Sequence, residues 1–198
     1  MDNKKERIKA LCYDFEQADK IIQDVKSVTN KEVIPAISQL RYAGWHLARW
    51  LILDLEGKDS EKEFSEVIGH SKRAIFDAAR HGILFCMEGI KSFRDMYGGE
   101  IMPEIITRYS EKMREVEESR KFVISVSEEE RDVRADACKK HFDTIRVILQ
   151  ELICCQPELN KLKEQKEASK KRYRQTNNIS IIIAVIMAII TIAVAFLK

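Results

Sequence analysis

Glycine and proline are scarce in this chain, at seven and three of 198 residues. Turn-punctuated all-β folds need many more of both, and no alternating polar and apolar run is long enough to demand a strand. Five cysteines, Cys12, Cys86, Cys138, Cys154 and Cys155, make an odd set without a CxxC spacing. That excludes a closed disulfide framework and a zinc ribbon; the expectation is small buried thiols in a reducing compartment. Met1 to Lys31 is charged and lacks an apolar h-region, so no secretory signal peptide is expected. HExxH and facing ExxH pairs, Gly-rich phosphate loops, GxSxG and Cys/His nucleophile signatures are also missing. No cofactor and no metal site is expected on those grounds.

What is present is helical periodicity. The fold class read from it is all-α: a bundle of about five amphipathic helices over 1–156, a basic juxtamembrane stalk over 157–178, and one transmembrane helix over 179–197. The first helix, Lys4 to Val28, carries Ile8, Leu11, Phe15, Ala18, Ile22 and Val25 at steps of three and four. Asn30 is placed to cap the second, with Pro35 in its first turn, Gly57 after its end, and a stripe of Ile37, Leu40, Gly44, Leu47, Leu51 and Leu55 thickened by Trp45 and Trp50. Ser60 and Glu63 form a capping box for the third, which runs to Gly98 and Gly99 and is apolar all round near Ile83 to Met87, as a central helix must be. Its Gly82 and Gly89 allow close helix contact. Pro103 opens the fourth, with Ile106, Tyr109, Met113, Val116 and Val123 inward; Ser127 and Glu130 box the fifth, with Cys138, Phe142, Ile145, Leu149 and Leu152 inward. Pro157 marks a break before the polar stalk.

The final stretch, Ile179 to Leu197, has no charged residue, and Ser180 and Thr191 are its only polar ones. Nineteen helical positions cover about 28 Å, close to a bilayer's hydrocarbon core. Lys161, Lys163, Lys166, Lys170, Lys171, Arg172 and Arg174 precede it against Glu164 and Glu167, and Lys198 alone follows. Positive charge resists translocation, so the bundle is expected in the cytoplasm and Lys170, Lys171, Arg172 and Arg174 at the lipid surface. Setting aside those seven basic and two acidic residues and Lys198 leaves 26 basic against 30 acidic residues, a net charge of −4. A mildly acidic bundle does not favour a long nucleic-acid groove, and whether RNA is bound is left open. Ser180, Ala184, Ala188, Thr191 and Ala195 give the membrane helix one face of small residues, suited to association with copies of itself.

Two polar constellations stand on helices. Arg134 and His141, seven positions apart, share a face of the fifth, and Arg41 and His46 lie on the second. Both fit the Arg-x4-6-His pattern of HEPN ribonucleases, in which the histidine moves a proton and the arginine stabilises phosphorane charge. Solvated or interfacial side chains are the other reading of both pairs. On the third helix His70, Arg73, Asp77 and Arg80 or His81 fall on successive turns, with Asp77 spaced to pair with Arg73 and His81. The alternative is a polar pocket shared with Arg41, His46 and Arg49.

All-α composition, the Arg-x4-6-His pairs and a single membrane span together resemble the small HEPN-like membrane accessory proteins of type VI-B CRISPR systems. RYAGWHLARW and HSKRAIFDAARHG are similar in look to segments of bacterial helical proteins linked to phage defence. The resemblance implies a homo-oligomer in the inner membrane, coupled to an RNA-targeting defence effector, that perturbs or permeabilises the bilayer. The residues after the two arginines, Ala135 and Tyr42, depart from the polar residue often found there, which fits a scaffold without nuclease activity. An anchored HEPN-type ribonuclease using Arg134 and His141, or a passive tail-anchored adaptor, are the alternatives.

Overall fold

The computed structural model describes residues 2–196, with side-chain surroundings for 4–187. Over those residues the chain is helical without a strand: α1 Asp2–Thr29, α2 Ile34–Leu55, α3 Glu61–Ile105, α4 Tyr109–Ser125, α5 Ala135–Cys154 and α6 Gln156–Phe196. A 3-10 turn at Glu128–Glu130 joins α4 to α5. The all-α expectation holds, with α3 as the central helix packed against α1, α2 and α5 and, less extensively, α4 and α6.

Small residues set how closely α3 is approached. A Cβ built on Gly82 would lie 2.4 Å from the Phe142 ring of α5 and 2.9 Å from Val25 of α1. The three helices meet where glycine alone fits. The inward line of α5 is as read: Cys138, Phe142, Ile145 and Leu152 are fully enclosed and Leu149 nearly so. A smaller apolar cluster, Leu11, Ala43, Trp50 and Val67, closes the far end between α1, α2 and α3.

The face of α2 differs from the expectation. Its buried residues are Ala36, Ala43 and Trp50, whereas Ile37, Gly44, Leu51 and Leu55 of the expected stripe are exposed. Apolar residues run nearly round this helix, so size does not mark the inner side; small Ala36 and Ala43 let it approach the bundle. Boundaries shift for equally local reasons. Asn30 ends α1 in the left-handed conformation (φ 53°), donating from its backbone N–H to the Lys26 carbonyl, and Val33 occupies the N-cap of α2. Gly98 (φ 71°, ψ 169°) breaks α3, a conformation that suits a residue without Cβ. Pro103 lies in the short segment beyond that break, and Ile106 is buried in the linker; α4 begins only after the left-handed Arg108 (φ 55°).

The chain breaks beside Pro157, between the end of α5 at Cys154 and the start of α6 at Gln156; Pro157 sits in the first turn of α6, where its missing N–H costs nothing, and the first turns of the stalk pack on the bundle. Leu159 is fully buried, Tyr97 donates its hydroxyl hydrogen to Asn160 Oδ1 (2.7 Å), Lys163 Nζ donates to the Met96 carbonyl (3.0 Å), and Lys166 pairs with Glu104. Past Lys166 every described residue of α6 is exposed.

Two cysteines also depart from the expected burial. Cys86 and Cys138 are enclosed, and burial pushes their thiols up to about 11 and about 12, but Cys12 and Cys154 are exposed.

Candidate functional site

α2 and α3 run antiparallel around the connection at Glu56–Ser60, and this places their polar residues opposite one another. His46 and His70 each stand twelve residues from Lys58, one before it and one after. Their rings stack at 5.2 Å between centroids with an interplanar angle of 21°.

Each imidazole is held by an oxygen. His46 Nδ1 is 2.6 Å from Glu63 Oε2, and His70 Nδ1 is 2.7 Å from Gln39 Oε1. A carboxylate or amide oxygen accepts, so both rings donate from Nδ1, and the neutral form of each carries its lone pair on Nε2. Glu63 is therefore not the capping-box residue of α3: the Ser60 side chain makes no cap hydrogen bond, and Glu63 turns to α2, its second oxygen 3.4 Å from Arg49. The hydrogen bond from His46, aided by Arg49, holds Glu63 below the usual carboxylate range. Burial pushes His70 below the ordinary imidazole value, and the positive charge on Arg73 acts the same way.

Glu66 completes the group. Its Oε2 is 4.0 Å from His70 Nε2 and 3.4 Å from Arg73 Nη2, while Arg73 Nε donates to the Gly69 carbonyl. One donor atom each from His46, Glu66 and His70 lies within 4.8 Å of the others. Beside them Arg41, Tyr42, Trp45 and His46 line a cleft of about 410 Å³. Trp45 meets His46 edge-on at 4.7 Å, and the guanidiniums of Arg49 and Arg41 lie over Trp45 and Tyr42 at 4.8 and 5.3 Å. Arg41 and His46 thus share one cleft, while His70 stacks on His46 and Arg49 reaches Glu63.

Asp77 does not join it. It is buried two turns further along α3, accepting from Arg131 Nη1 at 3.1 Å, with Oδ2 enclosed and unpartnered. Burial pushes its carboxyl up, against the pull of Arg131.

Arg134 and His141 are separated in role. Arg134 is the exposed N-cap residue of α5. His141 sits one turn beyond Cys138 with Nδ1 2.9 Å from Ser119 Oγ of α4 and its ring 4.5 Å from Phe122. Burial pushes its pKa below the ordinary value. Among the described residues no hydrogen bond or ring contact joins the two. Lys170, Lys171, Arg172 and Arg174 are exposed on α6, as are Ser180 and Ala184; the side chains of Ala188, Thr191 and Ala195 lie outside the described residues.

Glu66 and Gln39 escape a reading by motif because the spacing that unites them crosses a helical hairpin. The signal available in sequence was mirror symmetry about Lys58, which pairs 46 with 70. No family model matches the chain, and no curated protein or solved structure is significantly similar to it.

Proposed function

We propose that the chain is a membrane-anchored, oligomeric helical effector, held in the bilayer by Ile179 to Leu197 with its bundle in the cytoplasm. The observation that carries this reading is the far half of α6. From Glu167 to Met187 every residue is exposed, and the large apolar side chains between Ile179 and Met187 each keep 50–58% of their surface open. Among the described residues no helix is long and apolar enough to cross a membrane. Their side chains end nine residues into an uncharged run that the sequence continues to Leu197. Lipid is the solvent for such a run, and the exposed basic residues before it gain about 1 kcal/mol each beside anionic headgroups.

Oligomerisation has support from α2. Ile34, Ile37, Trp45, Ile52 and Leu55 are 40–82% exposed at near-heptad spacing, a face that a second copy would cover. In lipid the small-residue face of Ser180, Ala184, Ala188, Thr191 and Ala195 adds to it. The effector acts by perturbing or permeabilising the inner membrane, in concert with RNA-targeting antiphage machinery; the resemblance to type VI-B accessory proteins supports that assignment. Because the anchor's own walls are apolar and dewet, conduction needs a vestibule built by the soluble helices.

Flotation with anionic liposomes tests the anchor: Ile183→Arg with Ile186→Arg should leave the chain at the bottom of the gradient, and flotation of that variant defeats the reading. Light scattering in detergent should report a multimer, and dye-loaded vesicles should leak on its addition; a strict monomer without leakage removes the effector. The packing of His141 on Phe122 supports a non-enzymatic protein. RNA should survive incubation with the wild type, and cleavage lost in both Arg134→Ala and His141→Ala would reinstate the ribonuclease.

A further inference from the structure

We propose that His46, Glu66 and His70 form a binding site for a divalent transition-metal ion of the zinc class, with Glu63 and Gln39 orienting the two imidazoles. Metal-ligating histidines almost always donate their second ring nitrogen to a carboxylate or carbonyl oxygen, which fixes the tautomer and strengthens the free nitrogen as a ligand. Both histidines here have that partner, Glu63 at 2.6 Å and Gln39 at 2.7 Å. Two independent Nδ1–H bonds thus free an Nε2 lone pair on each of two rings that stack at 5.2 Å.

The third donor suits the same ion. Two imidazole nitrogens and a carboxylate oxygen are a recurrent set for zinc with one open position, whereas magnesium and calcium prefer oxygen alone. Around a tetrahedral ion with bonds of about 2.0–2.2 Å, neighbouring ligand atoms stand roughly 3.4 Å apart. The donor atoms here lie within 4.8 Å, so contraction of at most about 1.4 Å suffices. Glu66, with 38% of its side chain open, has room to make that movement, while His46 and His70 at 17% and 14% are held. Arg73 now shares Glu66, and an arriving cation would have to displace it. The ion would pin α2 to α3 beside the cleft of Arg41 and Trp45, leaving its fourth position to water. The inference does not depend on the lipid anchor.

The test uses the full chain in detergent, stripped with a chelator and titrated with Co2+ and then Zn2+. One Co2+ per chain is expected, with visible ligand-field bands, no near-ultraviolet thiolate band, and displacement by Zn2+. His46→Ala and His70→Ala should abolish the bands, and Gln39→Ala should weaken binding roughly tenfold. Glu66→Gln should weaken it as well, whereas Arg73→Ala, which frees Glu66, should tighten it; a purely structural role for the cluster predicts no effect of either on metal. These two positions are partly exposed, and circular dichroism on each variant shows whether helix content is kept, so they decide the matter if a histidine variant fails to fold. No Co2+ uptake, uptake indifferent to Glu66→Gln and His70→Ala, or a thiolate band pointing to Cys12 or Cys154 would each overturn the site.

Discussion

The two seams of α3 are built on opposite principles. Towards α5, around Gly82, it is apolar and closed: Gly82 admits the Phe142 ring, and Cys138 and Ile145 are enclosed. Towards α2 it is half open, with Ala36 and Ala43 giving proximity and His46, Glu63, Glu66 and His70 occupying the gap. The first seam specifies the fold by shape. The second gives apolar area over to groups that can bind protons or cations, and the proposed metal site lies there.

Substitutions on each side separate these roles. The largest effect should come from Phe142→Ala, which empties the closed seam and should cost about 3–5 kcal/mol in chemical denaturation. Gly82→Ala should follow at about 1–3 kcal/mol, because Phe142 has no free space to retreat into and the overlap exceeds the small gain in helix propensity. An unchanged midpoint for Gly82→Ala would mean that the contact is looser than the structure has it.

His141, at the edge of the closed seam, offers a pH-dependent comparison. Its pKa is depressed in the folded chain, so the unfolded chain takes up the proton first as pH falls. Its stabilising contribution is complete above about pH 6.5 and is lost as pH drops through that value towards the folded pKa. Denaturation midpoints measured at descending pH should fall less steeply in His141→Gln than in the wild type; parallel slopes would count against it. The smallest effect belongs to the open side. A Cβ on Gly44 meets nothing within 4 Å, so Gly44→Ala should stabilise by up to about 1 kcal/mol.

Periodicity read the closed seam well because α5 keeps polar and apolar residues on separate faces: Cys138, Phe142, Ile145, Leu149 and Leu152 all point inward. On α2 it misled, since Ile37, Leu51 and Leu55 of the expected stripe, and Trp45 beside it, are apolar yet exposed. The site was legible only in part. His70, Arg41, His46 and Arg49 could be grouped as facing polar residues, but Glu63 looked like a helix cap, and Gln39 and Glu66 belong to no local pattern. Metal spacing rules of the HExxH kind act within one helix, whereas these donors meet across a hairpin. Asp77 shows the converse: intrahelical spacing offered Arg73 and His81, and the tertiary fold supplied Arg131 instead.

The uninterrupted course of α6 sets a stand-off. Its last ion pair with the bundle, at Lys166, precedes Ile179 by thirteen residues, a helical rod of about 20 Å. That gap exceeds the ~8 Å over which physiological salt lets charges feel one another. On the proposed anchoring at Ile179, the bundle's net negative charge would thereby stand clear of an anionic leaflet.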